Sequence, residues 1–172
     1  MKREIDLVMF DLDGTLADTG QDLARAVNYV RSYLRLEPLD DRVVCAHVGS
    51  VETLDYFQKK KRVVVSNKLY RLTLSVLRGL GIETCFDAIL GGDSAPRKKP
   101  DPEPLHQVLA AFRVAPGKAL MVGDGGTDVE AGKRAGVVTC GVTYGLGKSE
   151  ELIAAKPDFL IDDLRQLSKY FC

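Results

Sequence analysis

The sequence predicts an α/β fold: a doubly wound parallel sheet of about six strands with helices on both faces. Three observations carry that prediction. Beyond residue 60, short apolar runs alternate strictly with stretches of helical period, as repeated βα units do. Polar groups recur where the apolar runs end, which is the edge at which open α/β sheets place their ligands. The chain has 172 residues, 45% of them hydrophobic, and a chain of that length buries roughly 70% of its unfolded surface. It needs no staples.

The elements follow in order. A strand is expected at 5–10, and further strands at 62–66, 86–90, 119–123, 137–142 and 159–161. Helices are expected at 69–80, 102–112, 128–135, 150–154 and 164–170. Residues 19–60 break this rhythm. The stretch 21–36 is an amphipathic helix with Leu23, Val27, Val30 and Leu34 on one face, 39–50 has no strong period, and 51–60 reads as a short second helix. This insertion holds too little core to be an independent domain. There is no repeat and no low-complexity segment.

Composition narrows the function. Lysine plus arginine equals aspartate plus glutamate at 24 each, a formal net charge of zero. Nucleic-acid and membrane-surface partners call for a basic excess, so neither is expected. The run Lys59-Lys60-Lys61-Arg62 is the only basic cluster and reads as a solvated helix end. Cys45, Cys85, Cys140 and Cys172 form no CxxC pair and no ligand-like spacing, so reduced thiols are expected. Lys2, Arg3, Glu4 and Asp6 precede only four apolar residues, which is too short and too acidic for a signal peptide. No segment approaches transmembrane length. A soluble, cytoplasmic protein is the expectation.

The stretch VMFDLDGTL carries the first motif. A buried strand delivers Asp11 to the sheet edge, and alternation aims Asp11 and Asp13 the same way while Leu12 turns back into the core. Carboxylates that close share a proton, bind a cation, or divide nucleophile and acid/base roles. Alone, such a pair is equally a strand ending in a polar turn. Ser66-Asn67, after three valines, offers a hydroxyl and backbone N–H groups to an anionic oxygen, or else caps a helix. In the segment RKKPDPEP, the prolines stiffen a loop and would aim one lysine, with Lys99 favoured over Lys98 because it directly precedes Pro100. In VGDGGTD, a strand delivers Asp124, glycines permit close approach of the backbone, and Asp128 begins a helix. Carboxylates on such a turn suit a hard cation such as Mg²⁺.

In a parallel sheet these four motifs share one edge and supply what phosphoryl transfer needs. Asp11 serves as nucleophile, Asp13 as acid/base, Ser66 and Lys99 bind phosphate, and Asp124 with Asp11 holds a metal. The pattern resembles the haloacid dehalogenase-like superfamily, specifically its phosphatases, on DLDGT at 11–15, the Ser-Asn pair, the Lys-Pro of KPDPEP and GDGGTD at 123–128. FDLDGTLADT, VVVSNK and KPDPEPL most resemble the phosphoglycolate phosphatases within it.

The resemblance implies a Rossmann-like core and a two-step mechanism on a small phosphorylated metabolite. Asp11 attacks phosphorus to give an aspartyl phosphate, and water hydrolyses it. Asp13 protonates the leaving alkoxide and then deprotonates that water. Phosphate would be bound by Leu12, Gly14, Thr15, Ser66, Asn67 and Lys99. Mg²⁺ would be held by Asp11, Asp124 and the backbone carbonyl of Asp13, with Asp128 as ligand or supporting group. Asp13 argues against a dehalogenase, because a departing halide needs no proton.

Capped relatives carry a helical cap between the first two motifs. Here 1–18 and 51–172 correspond to the core, and 19–50 to a truncated cap remnant. A charge pair at 4 Å is worth about 4 kcal/mol at an effective dielectric of 20 but about 1 in bulk water. An uncovered site should therefore lose turnover and discrimination before metal binding, which leaves weak, unselective activity. The first alternative is an impaired core that binds Mg²⁺ and phosphate without turnover. A receiver-like signalling domain would have no use for Asp13, and a phosphomutase needs a cap to retain its intermediate. His47 and His106 lack ligand-spaced partners and read as surface or packing residues, while 143–148 is either a site-lining loop or a plain connection.

The apolar face of 21–36 has lost partners, and an exposed stripe favours self-association, giving a possible homodimer. We expect concentration-dependent dimer in size-exclusion chromatography. A strictly monomeric profile, with that helix protected from hydrogen exchange, would show instead that it folds onto the core.

Overall fold

The first strand explains the sheet around it. β1 (Leu7–Phe10) has no polar side chain and every residue is buried, so it can only be central. It pairs in parallel with β4 (Lys61–Val65) on one side and β6 (Ala119–Gly123) on the other. A computed structural model of the chain describes residues 2–19, 45–47 and 49–172, and there β5 (Ala88–Leu90), β7 (Val138–Val142) and β8 (Phe159–Ile161) extend it. The order is β5-β4-β1-β6-β7-β8, and every pairing is parallel. This is the doubly wound six-stranded sheet read from the sequence.

Alternation splits the core into two layers. Val8, Phe10, Val64, Leu120, Val122 and Cys140 face one side, where Leu54 and Phe57 meet them from α1 (Ser50–Tyr56) and its exit, and Leu77 from α2 (Tyr70–Gly79). Leu7, Met9, Val63, Val65 and Met121 face the other, against Leu105 and Val108 of α3 (Glu103–Phe112) and Ala131 of α4 (Gly126–Ala135). Two further helices, α5 (Ser149–Ala154) and α6 (Leu167–Tyr170), complete the described order. Register sets the site: Phe10 lies opposite Val64 and Val122, so these three strands end at one level.

Three local readings are refined. The last helix of the sequence reading, 164–170, is a 3₁₀ turn at Leu164–Gln166 followed by α6. The helix expected at 51–60 is shorter and starts at Ser50, whose buried hydroxyl donates to the Leu16 carbonyl at 3.0 Å and ties α1 to the exit of β1. The stretch without a period hides an antiparallel pair, β2 (Ala17–Asp18) with β3 (Cys45–Ala46). Strands of two residues present no alternation to read. The expected helix 21–36, with its Leu23/Val27/Val30/Leu34 face, lies outside the described residues. No helix among the described residues is long and apolar enough to cross a membrane.

Candidate active site

The turn after β1 is wound on one carbonyl. The Leu12 oxygen accepts from the N–H groups of Thr15, Leu16 and Ala17 at 3.0–3.2 Å, while the Leu12 side chain stays in the core. Any part for Leu12 at a phosphate is thus confined to its backbone. Gly14 sits at φ +81, and a Cβ there would come within 2.2 Å of an Asp124 oxygen, so no side chain is tolerated. The buried Thr15 hydroxyl donates to Asp124 Oδ1 at 3.4 Å. Gly14 and Thr15 therefore shape the acidic cluster, whatever their backbones offer a phosphate.

Lys99 reaches the site from the loop between β5 and α3 and is only 2% exposed. Its ammonium donates to Asp11 Oδ1 (2.8 Å), Asp128 Oδ1 (2.6 Å) and the Val65 carbonyl (2.5 Å), which engages all three protons. Lys98 is exposed. The Asn67 amide donates to the Lys99 carbonyl at 2.8 Å and so clamps the loop that carries the lysine. Burial pulls Lys99 toward neutrality, but the Asp11 and Asp128 carboxylates outweigh it and hold its pKa above the ordinary value.

Asp124 follows β6, and its Oδ2 accepts from the Gly147 N–H at 2.8 Å. Tyr144, on the same loop, donates to the Thr15 carbonyl at 2.8 Å, so 143–148 supports the site and is no plain connection. Asp128, in the first turn of α4, accepts from the Gly125 N–H at 3.0 Å through the oxygen that Lys99 does not use. Asp11, Asp124 and Asp128 each bring one carboxylate oxygen within 4.8 Å of the others. Burial pushes the Asp11 carboxyl up to about 8 against the pull of Lys99, with the charges of Asp128 and Asp124 adding to the rise. Burial raises Asp124 as well, opposed by the Gly147 N–H and reinforced by Asp128. Three buried carboxylates facing one ammonium leave negative charge uncompensated, and hard oxygen donors at this spacing fit a divalent cation.

Asp13 stands apart from that trio. Its side chain is 30% exposed and accepts from the Lys68 ammonium at 2.6 Å and from the Thr19 hydroxyl. Its carboxylate lies outside the acidic cluster, so a metal role for Asp13 would fall to its main-chain carbonyl. The Ser66 hydroxyl is buried and accepts from the Lys68 N–H at 3.1 Å. Asp11, Asp13, Ser66, Asn67, Lys99, Asp124 and Asp128 all line one cleft of about 150 Å³. The sequence reading passed over Lys68 and Thr19. Lys68 directly follows Ser66-Asn67, and Thr19 lies six residues past Asp13, so proximity to the motifs was the available signal. His47 packs its ring on Tyr144 with centroids 4.6 Å apart, and His106 is exposed on α3.

A family model of haloacid dehalogenase-like hydrolases matches residues 32–136, more than half of the chain. The chain belongs to the haloacid dehalogenase-like hydrolase family. Among its relatives, the phosphoglycolate phosphatase of Pseudomonas putida is 32% identical, over 94% of this chain and 78% of that protein. The phosphoglycolate phosphatase of Vibrio vulnificus is 29% identical over 218 aligned positions, 96% of each chain. The crystal structure of a predicted phosphoglycolate phosphatase from Haemophilus somnus superposes with a TM-score of 0.88 at 25% identity, over 96% of this chain and 97% of that one. Membership is thus on the phosphatase side of the family. The alignment to the Vibrio protein is longer than the 172 residues of this chain, so that relative carries residues with no counterpart here.

The raised Asp11 pKa has a measurable sign. A carboxyl at about 8 in the fold and near 3.8 unfolded lends stability that is full below pH 4 and is lost as pH rises through 8. A divalent cation reverses the cause, so its stabilisation should be largest at pH 8 and small at pH 5. At a hundred times its Kd it contributes about 2.7 kcal/mol, on the order of 5–10 °C in Tm at this size. Thermal melts with and without divalent cation at both pH values check this; equal increments would remove these carboxylates as ligands.

Proposed function

We propose that the chain is a Mg²⁺-dependent phosphomonoester hydrolase working through an aspartyl phosphate on Asp11. The observation that carries this reading is the division of labour between two carboxylates in one cleft. Asp11 is buried against Lys99, whereas Asp13 is half-buried, outside the metal-type trio, and held by Lys68 and Thr19. The first setting suits a nucleophile once a bound cation offsets the burial that raises its pKa, and a group that exchanges protons with substrate and water needs the second.

An Asp11 oxygen forms a bond to phosphorus as the ester P–O bond breaks, and Asp13 gives its proton to the departing alkoxide. In the second half Asp13 takes a proton from water, whose oxygen attacks phosphorus and releases Asp11. Lys99 keeps the approach of two anions from being prohibitive, and the Ser66 hydroxyl is placed to donate to a phosphoryl oxygen. A cation held by Asp11, Asp124 and the Asp13 carbonyl, with Asp128 as ligand or orienter, would supply further positive charge to those oxygens when bound.

Substrate class comes from the relatives, two of which are the phosphoglycolate phosphatases of Vibrio vulnificus and Pseudomonas putida, and they favour a short ester such as phosphoglycolate. We read 1–18 and 51–172 as the catalytic core and 19–50 as a cap remnant in a cytoplasmic enzyme. The residues missing against the Vibrio relative support turnover weaker and less selective than a capped enzyme would show. The same observation favours one second reading, a core that binds Mg²⁺ and phosphate without turnover.

Hydrolysis of a small aryl phosphate, with and without Mg²⁺, tests both. Turnover should require the metal, vanish in Asp11→Asn and fall by about 10²–10⁴-fold with an alkyl phosphate in Asp13→Asn. Mg²⁺ binding without turnover would establish the second reading, and phosphorylation that survives Asp13→Asn would indicate a signalling domain.

A further inference from the structure

A second cavity, of about 410 Å³, opens at the opposite end of the sheet, where β1, β4 and β5 begin. Its volume falls in the range of roughly 300–1,000 Å³ that small-molecule sites occupy. Asp6 in its lining and Asp11 in the cleft are separated by the length of β1, roughly 16 Å at the usual rise of a strand, so one small ligand cannot reach both. The basic run Lys59-Lys60-Lys61-Arg62 lines this cavity. The sequence reads that run as a solvated helix end, whereas α1 closes at Tyr56 and the run spans the turn into β4. The turn is pinned. The Lys60 N–H donates to the Phe57 carbonyl at 2.8 Å, and the Lys61 N–H to the Asp6 carbonyl at 3.0 Å. Thr84, Cys85 and Phe86 complete the wall from the 3₁₀ turn Glu83–Cys85 and its exit.

Among the described lining residues, the four cations of the run meet two carboxylates, Asp6 and Asp87. Asp87 takes the Lys61 ammonium at 2.8 Å and the Arg62 N–H at 2.9 Å. The Arg62 guanidinium donates to the neutral Leu54 carbonyl at 2.8 Å. Glu4, on which Lys60 also acts, is held by Lys118 at 2.6 Å. A fixed concave surface with a positive excess concentrates anions. We propose that this cavity is a second ligand site, which takes a small molecule bearing a chain of phosphoryl groups. Ammonium groups carry three donors and no fixed plane, so several together meet tetrahedral phosphoryl oxygens better than the planar fork of one carboxylate. Inorganic polyphosphates and nucleoside di- or triphosphates share that chemistry, and Phe86 offers a base an aromatic neighbour. The site does not depend on the phosphatase reading, and its ligand leaves the cleft open.

Calorimetric titration of the chain with inorganic triphosphate, in buffer free of divalent cations, tests this. Under that condition the acidic cleft repels the probe. Lys59→Gln/Lys60→Gln should weaken binding by about tenfold or more, and Thr84→Glu, which adds a carboxylate to the same wall, should do likewise. Circular dichroism of both variants should match the natural chain. Triphosphate should also slow alkylation of Cys85 by iodoacetamide, read by peptide mass spectrometry, while Cys172, outside the cavity, reacts as before. ATP in place of triphosphate separates the two sources: tighter binding assigns a nucleotide, and equal or weaker binding an inorganic chain. Absence of binding, binding that survives both variants, or binding that leaves Cys85 unprotected overturns the site. Inorganic phosphate bound as tightly as triphosphate overturns the class of ligand.

Discussion

Lys99 places an ammonium, withdrawn almost wholly from water, between Asp11 at the end of β1, Asp128 on α4 and the Val65 carbonyl at the end of β4. Three elements far apart in sequence meet on one charge. Removing one partner of such a buried pair costs about 3–5 kcal/mol, because the other charge is left uncompensated. The surrounding bonds serve that contact: Asn67 grips the Lys99 carbonyl, and Gly125 holds the second oxygen of Asp128. Without the lysine, the three acidic groups would repel one another with no cation among the described residues within reach of Asp11 and Asp128.

The cleft divides along a gradient of burial. At one end, Asp11, Asp124, Asp128, Ser66 and Lys99 are buried and braced by backbone groups from the first two turns and the 143–148 loop. The sheet and its loops hold these groups in place. At the other end, Asp13 and Lys68 remain partly open to water. Thr19, which bonds Asp13, ends the first described segment.

Much of this was legible in the residues. Apolar runs ending in polar turns and alternating with helical stretches announced a parallel sheet, and the run before Asp11 announced a buried strand, as β1 is. Asp11, Asp13, Ser66, Lys99, Asp124 and Asp128 could be chosen because each follows a strand or stiffened loop, where side chains are aimed by a buried neighbour. Local rules cover local facts.

What the chain determined by itself was therefore the order of elements, the burial of each strand and the identity of the charged groups at their ends. Tertiary structure decided the pairings. Lys98 and Lys99 are equivalent in composition, and only packing buries one beneath Asp11 while leaving the other in solvent. The Lys68–Asp13 contact joins residues 55 positions apart, and the Asn67 amide reaches the Lys99 carbonyl across 32. Such contacts depend on the level at which β1, β4 and β6 end. Strand register is a property of the folded sheet, and no single segment carries it.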